Sequence, residues 1–248
     1  MHPLRTIAAA ALLVLAAAAR ADAFAPGEET VFQVRFLNLP TGEGRILVGD
    51  PQGQVWPVVF QAKTDGIAGF IDIREHLVSY WDAAVRLPRG MDLRAYEVGD
   101  YHVDSARFDR VNLKATISRT FNGRRSEQTF PVPADVHDLT SAFMWLRLQP
   151  LGPGQRYDIP VVASSKQFTV VAEVLGREPV ETPVGTFATV KVKVRTALEG
   201  KFSTKRDSFM WLSDDPRHVL VRASADFAIG SIVATLKSYR PGASLAMR

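Results

Sequence analysis

The residues of this chain that could do acid–base chemistry are few and scattered. A glycosidase needs only two carboxylates facing each other across a cleft, and Asp214-Asp215 is the obvious doublet. It follows Trp211-Leu212-Ser213 and precedes Pro216, a context that reads first as a turn in which Asp bonds its own backbone. Asp138 has a structural reading too, in the first turn of a helix, and Glu28-Glu29 lies close to the beginning of the chain. There is no Gly-x-Ser-x-Gly elbow, no phosphate-binding glycine loop, no cysteine nucleophile and no His-Glu-x-x-His zinc helix. His76, His102, His137 and His218 are far apart and read as surface or turn residues. The sequence therefore offers no catalytic set, no metal site and no cofactor.

Aromatic residues are the more suggestive group. Trp56, Phe60, Phe70, Tyr80, Trp81, Phe143, Trp145 and Trp211 are spread over most of the chain. Such residues usually fill a core. A curved sheet packed on one helix can also leave an apolar hollow between them, sized for an acyl chain. Trp56, Phe60, Phe143 and Trp145 are the candidate lining of that hollow. Phe143 is the strongest because it falls on the apolar stripe of a helix. Trp145, two positions on, points elsewhere and reads as a lid or an edge contact.

Period-two alternation bounded by Gly, Pro and Asp clusters dominates the chain, the pattern of half-buried antiparallel strands. It is clearest at Thr189–Arg195, where Val190, Val192 and Val194 alternate with Lys191, Lys193 and Arg195. Runs 30–39, 55–62, 113–121, 167–174, 202–212 and 229–239 follow it less cleanly. Pro40-Thr41-Gly42, Gly49-Asp50-Pro51, Asn122-Gly123, Gly152-Pro153-Gly154 and Asp214-Asp215-Pro216 supply the breaks. Asp72–Trp81 fits a short helix or an irregular strand. Asp135–Gln149 predicts a helix capped by Asp135, with a stripe of Leu139, Ala142, Phe143 and Leu146, stopped by Pro150 and Gly152. The expected architecture is mainly β (α+β): ten or more strands in a curved antiparallel sheet, an incomplete barrel, wrapping one central helix.

The first residues have the form of a secretory signal. Arg5 supplies positive charge, Ile7–Ala19 is an unbroken apolar run, and Ala21-Asp22-Ala23 offers small residues for cleavage after Ala23. Thirteen apolar residues fall short of the roughly 20 that span a bilayer. The expected division is a cleaved segment 1–23 and a single β-rich domain 24–248 outside the cytoplasm. With no cysteine, neither disulfides nor a cysteine-linked lipid anchor is expected. The net charge is +4, a small and dispersed excess that implies no nucleic-acid partner. Arg124-Arg125 and Lys205-Arg206 are its densest pairs, read as solvated hairpin loops.

Several stretches, in order along the chain, resemble the bacterial domain-of-unknown-function 3108 family. They are Phe24-Ala25-Pro26-Gly27-Glu28, Val136-His137-Asp138-Leu139 through Trp145-Leu146-Arg147, and Pro183-Val184-Gly185-Thr186-Phe187-Ala188-Thr189-Val190-Lys191. Trp211-Leu212-Ser213-Asp214-Asp215-Pro216-Arg217 and Gly230-Ser231-Ile232-Val233-Ala234-Thr235-Leu236 complete the set. The resemblance implies a periplasmic protein of Gram-negative bacteria with a half-barrel similar to the lipoprotein carriers LolA and LolB. It implies no catalytic residue.

Three functional expectations follow. The first is a periplasmic carrier whose partner is a lipid or a lipid-modified ligand, with no stable membrane anchor. The second is a non-enzymatic envelope-assembly module that binds a protein or a polysaccharide, with a filled core and an apolar or basic patch outside. The third is a glycan-cleaving enzyme using acids such as Asp138 or Asp214.

Overall fold

The computed structural model of the chain describes residues 23–64, 72–97, 99–163, 165–196, 207–227 and 230–243. The signal-like segment up to Asp22, Phe70 and Lys205-Arg206 lie outside the described residues.

Among the described residues, fourteen strands make one antiparallel sheet. The first eight are β1 (Glu29–Phe36), β2 (Leu39–Val48), β3 (Val55–Thr64), β4 (Ile73–Asp82), β5 (Leu87–Glu97), β6 (Asp100–Asp109), β7 (Lys114–Phe121) and β8 (Arg124–Pro131). The helix α1 (Leu139–Arg147) follows. Then come β9 (Arg156–Ala163), β10 (Lys166–Thr182), β11 (Gly185–Arg195), β12 (Ser208–Ser213), β13 (Leu220–Phe227) and β14 (Gly230–Arg240). Spatially the sheet runs β8-β7-β6-β5-β4-β3-β2-β1-β14-β13-β12-β11-β10-β9. The two halves of the chain are two meanders joined by pairing of the first strand with the last.

The sheet does not close edge to edge; it overlaps itself. Val161 and Val162 of β9 are both fully buried, although neighbours on a strand face opposite ways. Val161 packs with Ala142, Ile159 and Val170. Val162 packs on the other side, with Met91, Ala106, Ile117 and Val136. One edge of the sheet is thus tucked inside the other end. The seam is sewn by a parallel bridge, with His137 N–H donating to Pro160 O at 2.9 Å and Val162 N–H to His137 O at 2.8 Å. β8, the opposite edge, is exposed and polar along most of its length, a composition that discourages edge-to-edge aggregation.

The seam also explains where α1 begins. Val136 and His137 are held extended against β9, so Asp135 is not the cap; Asp138 is. Asp138 accepts from Ser141 N–H at 3.0 Å and donates its own N–H to Ser141 Oγ at 3.0 Å, a capping box. The stripe is wider than expected: Ala142, Met144 and Leu146 are buried, whereas Leu139 is 36% exposed. Asp72–Trp81 is resolved as strand β4 (from Ile73). The first hairpin turns at Leu37-Asn38, both with positive φ (49° and 66°), and Pro40-Thr41-Gly42 lies within β2. Asn122-Gly123 makes the expected tight turn between β7 and β8, with φ of 45° and 80°.

Candidate functional site

In β1–β7 the inward face is carried by alternate residues, ending in registered rows across the strands. Phe60, Leu77, Leu93, Asp104 and Arg119 form one row, paired strand by strand. Ala62, Glu75, Ala95, His102 and Phe121 form the next. The third includes Ile73 and Glu97. In these rows the inner wall is apolar toward β3 and polar toward β6 and β7, whereas the adjoining row of Met91, Ala106 and Ile117 stays apolar.

The four sequence-predicted residues come together. Trp56, Phe60, Phe143 and Trp145 all pack, half-buried, against the cluster of Phe24, Phe32, Val48, Val58, Met144 and Leu236. Trp56 meets the edge of Phe24 at 6.2 Å between ring centroids. Phe143 also reaches the cluster of Leu146, Val190, Val192 and Leu212 on one flank. Trp145 reaches Ile159 and Val161 on the other, its ring 5.8 Å from Tyr157 and 5.9 Å from His137. The two helix aromatics thus contact one common cluster from opposite flanks. Phe60, Leu93, Val194 and Ala234 all point inward yet remain half-buried rather than buried.

The helix is held in that interior by charge as well as by packing. Arg147 and Glu28 form an ion pair at 2.6 Å with side chains 2% and 3% exposed. Arg147 also donates to Arg217 O at 2.9 Å and lies over the Phe24 ring. At the other end Ser79 Oγ donates to Asp138 Oδ2 at 2.6 Å. Burial pushes the Asp138 carboxyl up despite these bonds.

Among the carboxylates weighed for catalysis, Asp138 is spent on the cap. Asp214 accepts from Arg177 Nε at 2.8 Å, and Asp215 pairs with Arg217 at 2.9 Å. Two histidines read as surface residues are in fact buried: His102 (8% exposed) and His137 (2%). Burial, with Arg110 nearby, lowers His137 to about 3. His76 is exposed and bonds Gln61 at 3.0 Å. Among the described residues no group of three or more His, Asp or Glu could hold a metal ion, and no helix is long and apolar enough to cross a membrane.

Sequence reading missed the polar wall. Burial, then the neighbouring charge of Glu97, pushes Glu75 up to about 7. Glu97 and Asp104 are raised chiefly by burial as well. The usable signal was an acid at alternate positions of a strand whose other inward positions are apolar. Mostly on the outward face of β2–β6 lies an open groove of about 910 Å³, edged by Arg45, Lys63, Arg74, Arg94, Tyr96 and Tyr101, with Glu43 and Glu75 also in its lining. Arg45 is paired with Glu29, and Arg74 stacks on Tyr96 at 5.9 Å.

Comparison with known proteins gives the fold a context. No curated protein sequence matches the chain. A beta-barrel-like protein of domain of unknown function DUF1849 from Brucella abortus superposes with a TM-score of 0.61 at 8% identity, covering 89% of this chain and 100% of that one. The hypothetical protein CT021 from Chlamydia trachomatis aligns over 89% of this chain and 90% of its own, at 8% identity and a TM-score of 0.35. The first likeness shows a beta-barrel-like fold in common. The model of DUF3108, a protein family of unknown function, matches residues 31–237, and the chain belongs to that family.

Proposed function

We propose that this protein is an exported, periplasmic carrier that binds an acyl chain or comparable hydrocarbon in the interior of its rolled sheet. The observation that carries the reading is that Trp56, Phe60, Phe143 and Trp145 meet around one cluster while staying half-buried inside the roll. Half-buried aromatic surface facing an internal space gains by covering itself with hydrocarbon, at roughly 25 cal/mol per Å² of apolar area removed from water. The signal-like N-terminus supports delivery to the periplasm.

Tryptophan quenching by an acyl chain brominated near its middle tests the proposal. Trp56 and Trp145 lie at the interior, whereas Trp211 sits on the outer face, its indole N–H donating to Glu178 and its ring beside Lys191. Quenching should persist in Trp211→Phe and weaken in Trp56→Phe and Trp145→Phe. Quenching confined to Trp211, or absent, would overturn the interior site.

The outer groove supports a second reading, an envelope module that binds an acidic polysaccharide. Its cations and two tyrosines suit anionic sugars. In that case Lys63→Glu with Arg94→Glu would abolish glycan binding and leave acyl binding unchanged.

A further inference from the structure

The polar wall has the features of a head-group site adjoining the acyl site, and its assignment rests on the carrier reading. Its members face inward from four strands: Glu75 on β4, Glu97 on β5, Asp100, His102 and Asp104 on β6, and Arg119 on β7. Asp104 is 2% exposed and His102 is 8% exposed. Asp104 Oδ1 and His102 Nδ1 are nonetheless buried with no hydrogen-bond partner. A buried polar atom left unpaired is destabilising; Asp104 Oδ1 therefore favours a donor brought in from outside, and His102 Nδ1 does so in the tautomer with its proton on Nε2. Arg119 does not supply it: its Nη1 stands 3.5 Å from Asp104 Oδ2, and its guanidinium lies over the Phe121 ring.

The wall is continuous with the aromatic one. Asp104 shares its row with Phe60, three strands away, a span of about 14 Å at the usual strand spacing. Small residues open the next row, where Ala95 separates Glu75 from His102. Four carboxyl groups face one guanidinium and one imidazole, so the wall disfavours an anion.

We propose that this inward polar wall takes the primary ammonium head of an amphiphile whose chain lies along Phe60 and its aromatic neighbours. Two N–H donors of the ammonium go to Asp104 Oδ1 and to His102 Nδ1, the imidazole carrying its proton on Nε2. The remaining donor and the charge face Glu75 and Glu97. A cation there draws the Glu75 carboxyl down from about 7, so binding at pH 7 releases up to about half a proton per chain.

Calorimetric titration with four twelve-carbon probes below their micelle concentrations tests this: dodecylammonium, dodecyltrimethylammonium, dodecanoate and dodecyl maltoside. Dodecylammonium should bind about tenfold more tightly than the other three, because only it brings both charge and N–H donors. Its heat at pH 7 should differ between phosphate and Tris buffers by that released fraction. Glu75→Gln and Asp104→Asn, each checked for folding by circular dichroism, should bring the four affinities to within about threefold. If all four wild-type affinities are equal, or dodecanoate or the maltoside is preferred, the head assignment falls and the acyl site stands. If no probe binds, both fall.

Discussion

Glu75 and His137 draw stability in opposite directions with pH. Glu75 holds its proton in the folded state up to about 7, against 4.5 for the free group. Between those values the unfolded chain has lost a proton that the folded chain keeps, so stability falls as pH rises through the window. The loss amounts to about 3 kcal/mol. His137 is lowered from 6.5 to about 3, so its contribution is lost as pH falls through that range. The Glu75→Gln variant should gain on the wild type progressively from pH 4.5 to 7, by about 3 kcal/mol at the top. Urea unfolding across that pH series measures the difference; a constant offset would contradict the buried acid. The Glu28–Arg147 pair makes a second prediction at this scale. Glu28→Gln leaves a buried guanidinium uncompensated and should cost about 3 kcal/mol. Replacing both, Glu28→Leu with Arg147→Met, should recover most of that loss.

Element by element, the seam at β9 carries the architecture. Val162→Asp would place a charge between β9 and the inner face of β5–β7, where its neighbours are apolar. Hydrogen exchange should then speed up at the Val162 and His137 amides, the two that sew the seam, while the β3–β4 pairing stays protected. Uniform loss of protection would mean that the overlap is not a separable element. The same view explains what the sequence made legible. β11 was readable because Val190 and Val192 turn inward while Lys191 and Lys193 turn out to Glu178 and Glu173. The helix was readable from its stops and its apolar positions, but its cap was not, because the pairing of His137 with β9 is a long-range contact. β5 and β6 were invisible and β4 ambiguous for one shared reason. Their inward positions include Glu75, Glu97, His102 and Asp104, where alternation expects apolar residues. β2, β8, β9 and β13 also fell outside the alternating runs, so the polar inward residues account for β4, β5 and β6 alone.

The whole molecule is a rolled sheet that overlaps itself, with a helix fixed inside it. The prediction proper to this scale is that occupancy stabilises the entire roll, since a ligand that binds only the folded state adds RT ln(1 + [L]/Kd). The midpoint of thermal unfolding should therefore rise with the concentration of an acyl probe, and rise less in Phe60→Arg. The most direct test is native mass spectrometry of protein exported to a bacterial periplasm and purified without detergent. One acyl-bearing molecule per chain is expected, and it is lost in Phe60→Arg. Protein that emerges bare and takes up nothing from lipid vesicles would contradict it.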